Sequence, residues 1–351
     1  MPKQLVANNP GVCEIEEYEV PELKSGEVKA KTLYGCPKHG TEMQFFFNKS
    51  SIDTHDYDLD KLMFVKSEDS QGKPFMKYPG VNGKYYPGNM WVGEIIETAG
   101  DVKDFKAGQR VAAHGKLREI QVVQADALHA MPDDMDWKSA VCLDPITVSY
   151  GGVQDSRLKL GDVAAVFGLG AIGLLNVQLA KLAGASKVIG LDVIESRRSA
   201  ATQLGADFTI NPAEVDAGEE LRKLTNYKGV DVAFETSGSY SALHHAIRGI
   251  CPAGTVCSLA WHQGSPIGLD LGKEAHYNFP NLIFSFPGYG WSRFPNWDRQ
   301  RLQQSCWNLL RSGRINCDPI VNPVVDFMDS AQMYMAIASD PSSSIKLGVK
   351  F

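Results

Sequence analysis

At 351 residues, 44% of them hydrophobic and 22% charged, the chain exceeds the usual single-domain length and has an ordinary globular composition, so two domains are expected and a disordered or fibrous chain is excluded. The formal net charge of -6 supplies no basic stripe for phosphates, which argues against nucleic acid and against an acidic membrane surface as partners. Met1-Pro-Lys-Gln-Leu-Val lacks the basic-then-apolar build of a signal peptide, and no run reaches the ~18 apolar residues of a membrane span, so the cytoplasm is the expected compartment. The seven cysteines are scattered without a C-x-x-C, which predicts reduced, buried thiols; Cys36 and Cys142 fall near suspected chemistry but read as packing groups.

In chain order, runs at 27–34, 92–98, 109–113 and 119–123 have strand composition between turn signals and predict a mostly antiparallel β module. Residues 48–90, rich in Lys, Asp, Tyr, Gly and Pro, are expected to be largely loop. After Pro132 the pattern changes to a polar helix-like segment, an apolar strand at 163–167, a glycine-rich turn and a helix-periodic run at 174–183. Runs at 187–192, 230–235 and 255–260 read as further buried strands between helical stretches, the pattern of an α/β protein with a doubly wound parallel sheet. From about Phe286 the chain leaves that sheet, and a helix near 298–311 and a strand at 345–351 are expected to return to the first module. The expected division is 1–146, 147–287 and a return segment, 288–351.

Gly168-Leu169-Gly170-Ala171-Ile172-Gly173 is a G-x-G-x-x-G between a predicted strand and a predicted helix. In that context the first glycine permits the tight turn, the second lets backbone approach a pyrophosphate, and the third lets helix and strand pack closely over the helix N-terminus. Asp192, about 20 residues on, sits where a carboxylate accepts hydrogen bonds from ribose hydroxyls and repels a 2′-phosphate, favouring NAD(H). Arg197 and Arg198 pull the other way, because arginines there can accept a phosphate; otherwise they form a solvated helix face. Thr236, in Glu235-Thr-Ser-Gly238, either contacts the dinucleotide or simply ends its strand.

With Gly108-Gln-Arg-Val111, the glycine fingerprint and Leu204-Gly-Ala-Asp207, nearly the whole chain resembles the medium-chain dehydrogenase/reductase superfamily, which includes alcohol, sorbitol and threonine dehydrogenases. The resemblance implies a Rossmann NAD-binding domain, a GroES-like, mostly β catalytic domain and hydride transfer between nicotinamide and an alcohol or ketone carbon. It also implies homodimers or homotetramers and a basic residue near the chain's end on the cofactor phosphates, a position that Lys346 resembles.

Zinc-dependent members polarise the alcohol oxygen with a metal held by Cys, His, and Cys or Glu. Here the first ligand motif is replaced by His39-Gly-Thr41-Glu42, and the second, usually G-H-E-x-x-G, reads Gly88-Asn89-Met90-Trp91-Val92-Gly93. A neutral amide is a poor zinc ligand, which leaves only His39 and Asp144 as ligands if zinc is bound; no metal is favoured. The His39-Gly-Thr-Glu stretch is also similar to the S-G-T-E or P-G-T-E of zinc-independent relatives. Without a metal, His39 is the candidate acid/base, Thr41 the proton-relay hydroxyl, Lys38 a source of positive charge and Asp144 an orienting group. The plainer readings are a loop histidine and a solvated lysine.

Asn89, Trp91 and Glu42 are the candidate substrate contacts. The aromatics from Tyr78 through Tyr85 and Tyr86 to Trp91, interleaved with Lys77, Asn82, Lys84 and Asn89, suggest a lid whose rings stack on a sugar, polyol or cyclitol. Half of the rings in that cluster and in Phe45-Phe-Phe47 should be core, and Trp291, Arg293 and Trp297 are candidates to close the same pocket. The competing functions are an NADPH-dependent quinone or enone reductase, against which Asp192 weighs, and a non-catalytic nucleotide-binding relative.

Overall fold

The computed structural model describes residues 1–47, 55–58, 60–66, 84–262, 264–286, 293–294 and 296–351, without the side chains of His39, Gln44 and Phe45. It divides into two compact units, 1–137 with 323–351, and 138–322. The division falls before residue 146 because helix α3 (Leu143–Ser156) is continuous across that point. It falls well after 287 because α9 (Arg299–Arg311) packs on α3 rather than leaving with the return segment.

The first unit opens with a hairpin of β1 (Lys3–Asn9) and β2 (Val12–Glu17). Then come β3 (Glu27–Cys36), α1 (His39–Phe46), and the paired β4 (His55–Asp58) and β5 (Met63–Lys66). Strands β6 (Met90–Thr98), β7 (Arg110–His114), β8 (Ile120–Gln124) and β9 (His129–Ala130) follow, with the short α2 (Trp137–Ala140) at the boundary. The second unit continues after α3 with β10 (Val163–Phe167), α4 (Ala171–Leu182), β11 (Lys187–Leu191), α5 (Glu195–Gln203) and β12 (Phe208–Ile210). It is completed by α6 (Ala217–Leu224), β13 (Val230–Glu235), α7 (Tyr240–Gly249), β14 (Ile250–Ser258), α8 (Glu274–Asn278), β15 (Asn281–Phe284) and α9. The chain ends with β16 (Val321–Asp326), α10 (Ser330–Ser339) and β17 (Lys346–Lys350).

The second unit's sheet has the order β12-β11-β10-β13-β14-β15, every adjacent pair being parallel. Its strands are almost wholly buried, which is why they read as continuous apolar runs, and the order reverses at β10 and β13, the switch point where such sheets bind ligands. The first unit carries a seven-stranded sheet, β16-β17-β3-β6-β7-β9 with β8 on β3. Strand β17 pairs antiparallel with β3, so the terminal strand does return to the first module. These are the Rossmann and GroES-like architectures that the resemblance implied.

Two expectations change, and one helix was not foreseen. Strand β14 starts at Ile250 and ends at Ser258, so Ala260 lies beyond it, in the strand's exit. The stretch expected to be loop carries the β4–β5 ladder in its described part. The segment after Cys36 forms α1, whose Phe46 is buried against Tyr334 in the core with Leu5 and Leu347.

Candidate functional site

The dinucleotide half is built in the second unit. Gly168 has φ +85, and a Cβ on Gly173 would stand 1.8 Å from the Gly168 carbonyl oxygen, so strand and helix meet more closely than any side chain allows. A Cβ on Gly170 would meet nothing within 4 Å, leaving the turn open at the place a pyrophosphate needs. Gly170 caps α4 with no side-chain hydrogen bond, so the first N–H groups of the helix, at Ala171, Ile172 and Gly173, remain for an anion. The residues fit a dinucleotide.

Asp192 lies just past β11 and is nearly buried. One carboxylate oxygen accepts from Leu169 N at 2.7 Å, inside the fingerprint, and the other from Ile194 N at 2.8 Å. Arg197 Nη1 stands 3.8 Å from the same carboxylate, and Arg198 donates to the Asp192 carbonyl, so neither arginine is merely solvated. The Thr236 hydroxyl lies 2.7 Å from the Gly168 carbonyl and 3.0 Å from that of Phe167, a use that fixes the turn rather than reaching a ligand.

Beside this turn stand Glu235, which entered the sequence analysis only as the start of Glu235-Thr-Ser-Gly238, and His262, which it passed over. Glu235 is fully buried at the end of β13, and His262, just beyond β14, places Nε2 3.0 Å from its carboxylate. No motif marks this pair; the only signal is a histidine shortly after a predicted strand.

The first unit gathers a second set of groups at the end of β3. Cys36 pairs with Met90, and Asn89 N donates to Cys36 O at 3.1 Å, which brings Asn89 beside the chain entering α1 with Lys38, His39 and Thr41. Gly88 fixes that approach: its φ is +151, and a Cβ there would meet Lys116 Cα at 2.5 Å. Asn89 Oδ1 is buried without a hydrogen-bond partner, an acceptor left for a hydroxyl. The Lys346 ammonium is buried and donates to Pro37 O at 3.1 Å, so it braces the segment that leads to Lys38. The side chain of His39 lies outside the described residues, and Asp144, in the first turn of α3, belongs to the other unit.

Two of the expected substrate contacts are corrected. Trp91 is fully buried with Val28, Ile95, Val111 and Leu128, and its Nε1 donates to His114 O at 3.3 Å, so it is core. Glu42 is buried in α1, accepting from Gly88 N and from the Tyr334 hydroxyl, each at 3.0 Å. Burial pushes its carboxyl up from the ordinary range, against those hydrogen bonds and the charge of Lys346, which pull it down. Glu42 therefore ties α1 to the Gly88–Asn89 turn and does not face a substrate.

Of the proposed lid, Lys77, Tyr78, Asn82 and Trp291 lie outside the described residues. Tyr85 is core, Lys84 pairs with Glu16 at 2.6 Å, Tyr86 lies under the Lys116 ammonium, and Trp297 packs on Tyr150 and Arg301, so these groups are occupied within the fold. Among the described residues no three His, Cys, Asp or Glu side chains gather as a metal site, and a neutral amide stands at the second zinc slot. The neutral amide of Asn89 is a poor zinc ligand, and the side chain of His39, the other slot's candidate, lies outside the described residues.

Comparison with known proteins agrees with this geometry. Residues 171–296 match the family model of zinc-binding dehydrogenases. Over 99% of its length the chain is 40% identical to the whole of D-guloside 3-dehydrogenase from Escherichia coli K12. It is 30% identical to (R,R)-butanediol dehydrogenase from Bacillus subtilis, over 72% of this chain and 76% of that one. The crystal structure of 2R,3R-butanediol dehydrogenase from Bacillus subtilis shares the fold at a TM-score of 0.76 and 22% identity, with both chains fully covered. A full-length likeness at this level, on a parallel sheet with a glycine cradle and a mostly β partner unit, means that the chain belongs to the medium-chain dehydrogenase/reductase superfamily.

Proposed function

We propose that the protein is an NAD(H)-dependent dehydrogenase that interconverts a secondary hydroxyl and a ketone on a sugar ring, with a glycoside as the favoured substrate. The observation that carries this reading is the end-to-end likeness to D-guloside 3-dehydrogenase, on a chain whose fingerprint turn leaves room for a pyrophosphate. Asp192 supports NAD(H) over NADP(H): a nearly buried carboxylate at the end of β11 favours ribose hydroxyls and disfavours a 2′-phosphate. The coarser statement, a dehydrogenase that uses a nicotinamide cofactor on a small polar alcohol, follows from the family and its relatives.

Held by the Gly168–Gly173 turn and Asp192, an oxidised nicotinamide dinucleotide would supply the hydride acceptor for the carbinol carbon. The chain's own task is then to hold that carbon and take the hydroxyl proton. In this reading Thr41 relays the proton to His39, which serves as general base, while Lys38 lowers the potential energy of the developing alkoxide. The orphan Asn89 Oδ1 accepts a hydrogen bond from a neighbouring hydroxyl of the ring. Lys346 braces Pro37 and with it the segment that leads to Lys38. No step passes through a metal.

The test is direct. The purified protein is offered a panel of glycosides, free sugars and polyols with NAD and with NADP, nicotinamide absorbance is followed, and the oxidised carbon is located by NMR. Turnover of glycosides with NAD preferred at least tenfold is expected, in protein that carries no stoichiometric zinc by elemental analysis (about 1.4 kcal/mol of discrimination). Stoichiometric zinc, or turnover confined to quinones and enones with NADPH, would overturn this reading.

A further inference from the structure

Tryptophan is the largest side chain a fold can use for packing, and all but one of the described tryptophans are used in that way. Trp91 is core, Trp137 stacks on Tyr34 with ring centroids 4.3 Å apart, Trp297 packs on Tyr150 and Arg301, and Trp307 is buried on α9. Trp261 is the exception. It is 41% exposed, and among the described residues its indole has no hydrogen-bond partner and no ring or cation against it. A single exposed ring means little on an arbitrary surface, so its place in the fold decides what it can do.

That place is the carboxyl edge of the parallel sheet, just past the end of β14, and it is on this edge that such sheets bind ligands. The backbone under the indole is firmly held. Ser258 is the register partner of Glu235, and Leu259 N donates to Glu235 O at 2.8 Å. Leu259 is buried against Gly152 of α3, where a Cβ would stand 2.4 Å from its Cδ2. The Trp261 carbonyl oxygen would lie 3.2 Å from a Cβ on Gly238, and Ser237, one residue earlier, would lie 2.9 Å from a Cβ on Gly168, the first glycine of the fingerprint. Trp261 is thus anchored on the exit of β13, which itself abuts the dinucleotide turn.

A dinucleotide with its adenosine end at Asp192 and its pyrophosphate at α4 carries its nicotinamide across the switch point, toward the exits of β13 and β14. Hydride transfer then requires the carbinol carbon to come within about 3–3.5 Å of the nicotinamide ring. The substrate therefore sits within reach of an exposed side chain on the β14 exit. A pyranose presents C–H groups on its face and hydroxyls around its edge, and the negative face of an indole covers the first while leaving the second free for hydrogen bonds.

We propose that Trp261 is a substrate-binding residue: its indole stacks on the C–H face of the sugar ring and sets the affinity for cyclic sugars. This rests on the dehydrogenase reading above. Trp261 takes no part in moving the proton or the hydride.

Because the indole is exposed and unpaired, replacing it is expected to spare the fold, and three variants of the full-length protein separate the ring from its bulk. Trp261→Ala removes both, Trp261→Leu keeps apolar bulk without a ring face, and Trp261→Phe keeps a smaller ring. KM and kcat are measured on a methyl pyranoside that the wild type oxidises, NADH affinity by fluorescence titration, and thermal midpoint and molecular mass in the same buffer. Trp261→Ala is expected to raise KM for the glycoside about tenfold with kcat within about threefold, Trp261→Leu to behave like Trp261→Ala, and Trp261→Phe to stay within about threefold of the wild type. NADH affinity, thermal midpoint and mass should be those of the wild type in all three. An unchanged KM in Trp261→Ala, or a wild-type KM in Trp261→Leu, would overturn the inference. So would a loss of NADH affinity as large as the rise in KM, which would place the indole on the cofactor, or a change of mass, which would place it on a second copy of the chain. A wild-type protein that oxidises no cyclic sugar would instead sink the dehydrogenase reading, and the inference with it, before any variant is compared.

Discussion

Glu42 and Asn89 are three-dimensional neighbours that the sequence presents as two unrelated polar residues. Glu42 reads as an exposed acid after a glycine and threonine, yet its partner Tyr334 lies 292 positions away, a pairing no local pattern encodes. Trp91 misleads for a related reason. Strand β6 is buried on both faces from Met90 to Gly93, so the alternation that would have marked Trp91 as inward is absent. Asn89, by contrast, was legible, because the glycines around it keep the family's spacing and Gly88 cannot carry a side chain. The buried carboxyl gives a prediction with a definite sign. A group whose pKa is raised by folding holds its proton more tightly in the folded chain, so its contribution to stability falls as pH rises from about 4.3, the unfolded value, through the higher folded one. Glu42→Gln cannot ionise and should flatten that part of the profile of unfolding midpoint against pH. Glu42→Ala should instead lower stability by about 2–4 kcal/mol across the range, because the Gly88 N–H and Tyr334 hydroxyl lose their acceptor. A Glu42→Gln profile that parallels the wild type would show that Glu42 is not the titrating group.

At the scale of elements, the Rossmann half was legible almost residue by residue. Predicted and observed bounds coincide for β10 and β13, because strands buried on both faces are uninterrupted apolar runs and the glycine turn is a local instruction. The start of α4 was placed late, at 174 instead of Ala171, since its first turn is occupied by the fingerprint and shows no apolar period. Helix α1 went unread: Gly40 lowers its propensity, and what holds it is packing of Phe46 and the Glu42 hydrogen bonds, both tertiary. The close meeting of β10 and α4 supplies a prediction for the whole element. In Gly173→Ala the new methyl carbon would overlap the Gly168 carbonyl, so the helix must retreat from the strand and the first N–H groups must shift with it. NADH affinity should fall at least tenfold, with a stability loss of about 2 kcal/mol or more, measured by titration and by urea unfolding on the same preparation. Gly170→Ala, where a Cβ meets nothing in the protein itself, should leave stability nearly intact while still weakening NADH, which separates the fold's need for glycine from the ligand's. Wild-type affinity in Gly173→Ala would mean that the turn is not the pyrophosphate cradle.

At the scale of the molecule, the sequence gives the order of modules, but nothing local in it says which sheet edge is left open. In the second unit the parallel sheet ends at β15, which hydrogen-bonds β14 on one side and, among the described residues, no strand on the other. An open edge with exposed apolar side chains is a template for another strand, and Leu282 and Phe284 are 43% and 57% exposed on it, with Phe286 just beyond at 54%. A second copy of the chain is the occupant that the family resemblance implies, and a two-fold axis between two β15 strands would pair them antiparallel and extend the sheet from one subunit into the next. Such an interface would hide these three side chains in both copies and complete the ladder. Sedimentation equilibrium should therefore find a dimer or a tetramer in the wild type. Leu282→Lys combined with Phe284→Lys, which places charges at the centre of the junction, should shift the protein to monomers with its NADH affinity within about threefold of the wild type, because β15 lies at the sheet's far edge from β10 and β11. If the doubly substituted protein keeps the wild-type mass, the edge of β15 is not the subunit interface, and assembly must use a surface other than the open edge of this sheet.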